Sequence, residues 1–489
     1  MSDFTFLWHD YETFGAVPRK DRPAQFAAIR TDAELNEIGE PLMIYCRPNE
    51  DYLPDPRSCL ITGIVPQTCL ELGVPEVEFA NQIEAAFAQP GTIGVGYNTI
   101  RFDDEVTRFL LWRNLLDPYA REWQNGCGRW DLLDVVRLAY AMRPEGIEWP
   151  SKPDNGGPSF RLEDLTRANG LVHDAAHDAL SDVRATIALA RLLKDRNPRL
   201  FEFALGLRKK DRVAQELGLI GAAGERRPFL HVSGMFPADR GCLAVMWPLA
   251  SHPTNRNELL AWDLSEDPSV LETLSAEEIK LRLFTRTADL PQGKKRLPMK
   301  SVHLNKSPMV VGNLRTLRPE MAARWELDLD LAKRHAESAA ALPDLSALWQ
   351  DVFKRPASDA LDVDEDLYGG FVSTNDRRKL NQLRAMAPSQ LSTAKTGFED
   401  ARLEELVFRF RARNYLASLA EDERERWSEH CSARLFDGKG GARTIDDFLA
   451  ELDVLTEQVG ESEEGPDERT EFVLGALYDY AEAVVPERD

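Results

Sequence analysis

The sequence predicts an α/β domain at the N-terminal end, followed by a small β-rich domain and a C-terminal helical domain. Over roughly the first 195 residues, strand-like and helix-like hydrophobic patterns alternate, as they do where helices cover a sheet. From about Phe229 to Leu264 the pattern becomes short apolar runs broken by Gly, Pro and Asn turns. Towards the C-terminus, Leu403, Leu406, Val407 and Phe410 recur on one face, as in a bundle helix. The domains are accordingly expected at residues 1–196, 197–350 and 357–489, in keeping with the about three domains that a 489-residue chain suggests.

Taken in order, Phe4–Tyr11 is a β-rich run, Phe26–Ile29 and Leu42–Cys46 read as further strands, and Thr92–Tyr97 as another short apolar one. Val77–Ala88, Asp103–Leu116, Asp131–Met142 and Asp178–Leu193 carry apolar residues at three- and four-residue spacing, the helix period. Pro150–Pro158 is rich in Pro, Gly and Asn and reads as a loop. Gln292–Lys300 is a basic, Pro-containing loop, Pro356–Asp366 an acidic linker and Gly460–Glu468 an acidic loop. No internal repeat interrupts this order.

Composition narrows the class. With 43% hydrophobic and 29% charged residues, the chain has the make-up of a globular protein with substantial cores. No stretch approaches the ~20 apolar residues that span a bilayer, and the first residues lack the basic start of a secretion signal, so a cytoplasmic protein is expected. The six cysteines form no CxxC pair and the eight histidines no HExxH cluster, which argues against a disulfide frame or a zinc site. A formal net charge of −22 disfavours a nonspecific polyanion binder. It confines any nucleic-acid contact to a focused patch and leaves room for divalent cations at acidic sites.

Three stretches carry candidate chemistry. In Phe6–Glu12, side chains alternate between sheet faces, so Phe6, Trp8, Asp10 and Glu12 share one face. Two carboxylates then follow two large apolar groups, an expensive burial without a cation; the alternative is a strand that ends at Asp10 with both acids solvated. In the second stretch, a strand ending near Tyr97–Asn98 leads to Asp103 in the first turn of a helix. Acids there are favoured by the helix macrodipole, so capping is the alternative for Asp103 and the whole expectation for Asp104 and Glu105. In the third, His177 lies five residues before Asp182 at the start of an Ala- and Leu-rich helix; a histidine at such an entry is ordinarily structural or solvent-facing.

The combination is more specific than its parts. Carboxylates from a strand end and two helix starts supply what two-metal phosphodiester hydrolysis requires, with two divalent ions about 3.5–4 Å apart. Oxygen ligands suit Mg²⁺, with Mn²⁺ as a workable substitute. A histidine near the attacking water serves as general base.

D-x-E, then N-x-x-x-F-D, then H-x-x-x-x-D is the pattern of the DEDDh exonucleases, which have a ribonuclease H-like fold. Longer runs, His9–Gly15, Asp21–Asp32, Arg101–Arg108, Arg129–Val135, Arg143–Ile147, His231–Phe236 and Arg411–Asn414, resemble the bacterial exodeoxyribonuclease I branch of that family along nearly the whole chain. The resemblance implies a ribonuclease H-like exonuclease domain, an SH3-like β domain and a C-terminal helical domain around a groove for single-stranded DNA. It implies processive 3′→5′ release of 5′-mononucleotides by a monomer, with roles in repair and recombination. Asp10, Glu12 and Asp182 match the metal ligands, Asp103 the remaining motif carboxylate and His177 the general base.

Between Arg101 and Arg143 every cation is arginine, and Trp112, Tyr119, Trp123, Trp130 and Tyr140 interleave. Arginine forks onto phosphate and aromatic faces stack bases, whereas helix spacing assigns Trp112 and Tyr140 to the core. The resemblance supports Arg108, Tyr119, Trp123 and Arg137 as strand contacts and Arg161 near the terminal nucleotide, with Glu12 and His177 also touching substrate. For Arg161 the alternative is a surface ion pair with Glu163 or Asp164. Asn257, on a turn with Asn255, is a further candidate contact that turn chemistry explains equally well. The family binds the acidic C-terminal tail of the single-stranded-DNA-binding protein. Arg143, Arg227 and Arg318 match basic positions of that contact, and Phe203 stands where a tyrosine is expected.

Two other functions compete. A DEDDh exoribonuclease shares the motifs, which fix the chemistry and not the sugar, but such enzymes resemble only the first ~200 residues. A noncatalytic DNA-binding scaffold would be marked by substitution of Asp10 or Asp182, and neither is replaced.

Overall fold

The computed structural model describes residues 4–154, 156–172, 178–219, 226–354, 361–392, 394, 396–461 and 467–484. The chain divides into two compact units: Met1–Gly128, His173–Arg184 and Asp359–Asp489 in the first, Arg129–Val172 and Ala185–Ser358 in the second. The first unit is thus assembled from segments far apart in sequence.

Its sheet is built on β1 (Thr5–Thr13), paired antiparallel with β2 (Pro23–Thr31), which carries antiparallel β3 (Leu42–Tyr45). On the other side β1 pairs in parallel with β4 (Thr92–Gly96). A parallel neighbour requires a long crossover, and the connection contains helix α1 (Glu76–Phe87). Every residue of β4 is buried, as expected of an inner strand. Leu7, Tyr11 and Phe26 of the sheet pack with Phe79, Ile83 and Phe87 of α1 and with Val106 and Leu110 of helix α2 (Asp103–Arg113).

The helical C-terminal segment joins this unit through helix Arg402–Asn414. Leu403, Leu406, Val407 and Phe410, the face read from the sequence, are buried together with Phe109 and Trp112 of α2. Beside this apolar seam lies a buried ionic cluster. Arg413 reaches Asp51 at 2.7 Å and also Asp364; Arg22 reaches Asp364 at 3.4 Å; Arg113 reaches Glu76 at 2.9 Å. Asn414 accepts the Val77 N–H at 3.0 Å and so satisfies a donor at the start of α1. The Arg411–Asn414 run is therefore structural: Arg411 forks onto Glu423 at 2.7 and 2.8 Å.

The second unit holds a five-stranded antiparallel sheet in the order Met309–Val311, Phe229–Val232, Leu243–Ser251, Glu258–Asp263, Met299–His303. The first three strands in chain order fall where short strands are expected. The expected loop Gln292–Lys300 gives way at Met299 to a strand that the turn-like Pro298 and the basic run hide, and Met309–Val311 is too short to show a period. Helix Leu132–Met142 is also present as expected. Among the described residues, no helix is long and apolar enough to cross a membrane.

Removing one partner from a buried ion pair leaves the other charge stranded, at about 3–5 kcal/mol. Arg413→Ala should lower stability by about that amount, read as a shift in the urea midpoint. Arg424→Ala, which among the described residues loses an exposed ionic contact to Glu421, should move it little. Equal shifts would show that the cluster does not hold the unit together.

Candidate active site

The two acids of β1 owe their setting to where β4 stops. The parallel register runs from Thr5↔Thr92 to Trp8↔Val95 and the chain turns away at Gly96, whereas β1 continues to Thr13 and stays paired with β2 through Glu12↔Gln25. A Cβ at Gly96 would lie 2.5 Å from the His9 carbonyl and 2.1 Å from the Thr99 side chain, so only glycine allows this approach. Asp10 and Glu12 therefore project, on one face as the period of 2 requires, from a strand end with no β4 beside it. The strand does not end at Asp10, and Glu12 is buried.

Helix α2 fills the vacated edge. The Tyr11 N–H, beyond the reach of β4, donates to Asp103 Oδ1 at 3.1 Å. Asp103 is the first residue of α2, and this bond directs its carboxylate towards β1. The third acid comes from helix α3 (Ala179–Arg196). Asp178 caps it by accepting the Ser181 N–H at 3.1 Å, and Gln25, opposite Glu12, accepts the Ala179 N–H at 3.4 Å. The helix start is thereby tied to the sheet beside the acids. One carboxylate oxygen each from Asp10, Glu12 and Asp182 lies within 4.8 Å of the others.

Electrostatics reflect this crowding. Burial, and then the charges of Asp103, Glu12 and Asp182, hold the Asp10 carboxyl well above the usual carboxylate range. Burial, then Asp182, Asp103 and Asp178, push Glu12 up to about 8. The charged neighbours acting on both are all acids. A compact all-oxygen donor set whose members repel one another fits a hard divalent cation. His177 lies outside the described residues. The histidine next to the site, His9, is buried against Phe26 and Phe87 and pushed down to about 3 by burial, a neutral core residue.

Asp104 and Glu105, expected only to cap α2, do more. Asp104 takes Arg121 at 2.7 Å in a buried pair, and Glu105 pairs with Arg108 at 2.7 Å. Arg108 is itself buried, its fork filled by Glu122 at 2.7 and 2.9 Å, with Tyr368 at 3.1 Å. A fork filled by a carboxylate has no room for phosphate. What Arg108 does here is hold Ala120–Glu122, the turn leading to Trp123, which is 65% exposed. Tyr119 is half-buried beneath the Arg108 guanidinium. Trp112 and Tyr140 are core residues, as helix spacing requires.

In the second unit, Arg137 is largely buried against Asp134 at 2.7 Å, with its guanidinium packed on Gly234. The Arg161 side chain is 76% exposed and only 3.6 Å from Glu163, a loose surface pair. Asn257 accepts from Lys210 at 2.6 Å, and its N–H goes to Asn255 Oδ1, which is turn chemistry. Arg143, Phe203 and Arg318 line one cavity of about 520 Å³ with Arg196, Arg199 and Leu200. Arg227 is exposed and turned to the Gln215 carbonyl. Sequence reasoning missed the site roles of Asp178 and Gln25; the Asp three residues before Ser181 was a legible cap signal, whereas nothing marked Gln25.

Three family models match consecutive parts of the chain: Exonuclease at residues 7–190, Exonuclease I SH3-like domain at 208–355 and Exonuclease I C-terminal domain at 361–484. Exodeoxyribonuclease I of Escherichia coli is 44% identical over 485 residues, 98% of each chain. The structure of a moderately thermophilic Exonuclease I from Methylocaldum szegediense matches with a TM-score of 0.92 and 46% identity, covering 99% of this chain and 100% of that one. That of E. coli Exonuclease I in complex with a dA16 oligonucleotide matches at 0.92 and 42%, with the same coverage. With its carboxylate cluster and all three of its regions matched in order, the chain belongs to the exodeoxyribonuclease I family.

Proposed function

We propose that the protein is a processive 3′→5′ exonuclease that degrades single-stranded DNA to 5′-mononucleotides, acts as a monomer and serves repair and recombination. The observation that carries this reading is the convergence of Asp10, Glu12 and Asp182 within 4.8 Å at the open end of β1, in a family whose E. coli member has been solved with single-stranded oligonucleotides. Asp10, Glu12, Asp103 and Asp182 would hold two Mg²⁺ ions, and the E. coli enzyme has a zinc-bound single-strand complex. When bound, such a pair activates water and neutralises charge on the leaving oxygen.

The chain's own groups do the rest. Glu12 and Asp10 give up protons to become ligands, Asp103 holds β1 at Tyr11 while facing the acids, and the Asp178 cap fixes Asp182. His177 takes the proton of the attacking water, and Arg161 meets the terminal nucleotide. Trp123 and Tyr119 stack bases, with Arg108 and Arg137 holding the surfaces around the strand and Asn257 at its edge. The cavity of Arg143, Phe203 and Arg318, with Arg227, suits the acidic tail of the single-stranded-DNA-binding protein; a related crystal structure is that of SSB/Exonuclease I in complex with an inhibitor. The expected limits of 1–196, 197–350 and 357–489 are retained as sequence domains.

A 3′-labelled single strand, matched in DNA and RNA, should release labelled mononucleotide from DNA with Mg²⁺ and nothing after chelation. Asp182→Ala should abolish hydrolysis and leave strand binding largely intact, while His177→Ala should lower kcat by about 10²–10⁴. Full activity in Asp182→Ala, or faster digestion of RNA, would remove this reading.

The raised acids set a pH dependence. Glu12 has an ordinary value of 4.5 and a folded value of about 8, so between these the folded, metal-free protein carries a proton that the unfolded chain has lost. Its contribution to stability therefore falls as pH rises from 4.5 to 8. Metal uptake must expel that proton. Mg²⁺ titration calorimetry in buffers of different ionisation enthalpy should show proton release at about pH 6.5 and far less at about pH 8.5. Equal release at both would contradict the assignment of Glu12 as a ligand.

A further inference from the structure

Helix α2 begins without the usual local anchor. Phe102, the residue before it, has no side-chain oxygen to accept one of the orphan N–H groups of the first turn. Yet Asp103, the first residue of α2, must aim a carboxylate at β1. The backbone supplies part of the hold, since the Thr99 carbonyl accepts the Asp104 N–H at 2.9 Å. A further part comes from outside the helix. Arg121, in the turn Ala120–Glu122, donates from Nη2 to Asp104 Oδ1 at 2.7 Å, and both side chains are 2% exposed.

Stability does not account for this arginine. Its Nε and Nη1 are buried with no hydrogen-bond partner among the described residues, an unfavourable state for N–H groups out of water. Its guanidinium lies over the Phe87 ring at 4.6 Å, and His9 packs edge-on against the same ring at 5.0 Å. An apolar pair of similar volume in place of a buried ion pair often packs as well or better. Nor does the turn need Arg121 to fasten it. Glu122 is already gripped by Arg108 at 2.7 and 2.9 Å, and the Trp123 N–H returns to the Ala120 carbonyl at 3.3 Å. What Arg121 adds is a hold on Asp104, one residue from an acid that faces the cluster.

We propose that Arg121 is a positioning residue for the reaction: through Asp104 it fixes the first turn of α2 and so keeps the Asp103 carboxylate directed at β1. The proposal rests on the metal-dependent reading above and adds a residue that the reading does not use. The lever is short. Asp104 is tied to Arg121, while its neighbour Asp103 accepts the Tyr11 N–H at 3.1 Å and, at its carbonyl, the Thr107 hydroxyl at 2.8 Å. Without Arg121 the buried Asp104 carboxylate is driven towards water, and the first turn, with Asp103, follows it. Groups that orient metal ligands from behind change metal affinity or rate by about 10–100-fold when they are lost.

The test begins on the metal-free full chain, where it does not depend on catalysis. Hydrogen exchange with residue-level fragmentation reads the Tyr11 amide, whose acceptor is Asp103. Arg121→Met should speed its exchange by about tenfold or more, as for loss of a bond to a charged acceptor, while amides of the β1–β2 pairing keep their protection. Arg121→Lys should restore most of that protection, because Asp104 is bonded by a single nitrogen. Arg121→Met combined with Asp104→Asn strands no charge, so it folds even where the single change does not, and its Tyr11 amide should still exchange fast. With Mg²⁺, kcat on single-stranded DNA should fall by about 10–100-fold in Arg121→Met, and half-saturation by Mg²⁺ in calorimetry should rise by about tenfold. KM for the strand should hold, because the turn before Trp123 keeps its Arg108 anchor. Arg113→Met with Glu76→Gln removes an equally buried pair at the other end of α2 and should leave the Tyr11 amide and kcat unchanged. An unaltered Tyr11 amide in the folded double variant would overturn the proposal and leave the metal site standing. Equal losses in the Arg113 control would also overturn it, by making the effect a general loosening of α2. Full activity in Asp182→Ala would remove the metal reading, and this role with it, whatever the Tyr11 amide does.

Discussion

Crowding carboxylates at the end of one strand is unfavourable in itself, and much of the first unit holds them there. A chain free to relax would turn Asp10 and Glu12 into water. Here β1 is fixed along its length by β2, and Asp103 and Asp182 arrive from helices whose first turns are bonded to the sheet, one through Tyr11 and the other through Gln25. Burial, and then repulsion among the acids, displaces the Asp10 and Glu12 carboxyls upward. The fold stores that repulsion, and a bound cation relieves it.

Such storage needs a stiff frame. The first unit joins residues some hundreds of positions apart, and loop closure over that distance adds an entropic cost. The seam of Leu403, Leu406 and Phe410 against Phe109 and Trp112 supplies undirected cohesion. The cluster of Arg22, Arg113 and Arg413 with Asp51, Glu76 and Asp364 supplies direction, because a slipped register would bury one of these charges without its partner. Burial of Asp364 and Asp51 alone would raise their carboxyls, yet the surrounding arginines hold both below the usual range. That part of the frame is stable as an ionised network above the ordinary carboxylate range and weakens as pH falls below it.

The sheet and the acids were legible because both rest on periodicity. A period of 2 puts Asp10 and Glu12 on one face, and long apolar helices start at Asp103 and just before Asp182. Arginine was not legible. Arg108, Arg113 and Arg121 sit in a run that reads equally well as a phosphate-binding stripe or as a set of buried pairs, since sequence states a charge and not its direction. The acids that decide the matter, Glu122, Glu76 and Asp104, are 14, 37 and 17 residues away from their respective arginines. Gln25 was invisible for a related reason: among the described residues it is linked to the site by a cross-strand register and a side-chain bond.

On the proposed reading, the acidity of the protein becomes part of how substrate is chosen. A phosphodiester approaching the metal-free acid cluster finds no positive charge there, and it meets repulsion over most of a chain of net charge −22. Divalent ions among the acids supply that positive charge. The affinity for ions and the affinity for a 3′-terminal phosphodiester are then coupled, each raising the other by the same factor. Contacts away from the site need only hold the strand long enough for that coupled step, so they can be few, local and insensitive to base sequence. An exposed indole such as Trp123 meets that need, because stacking on it does not depend on which base arrives.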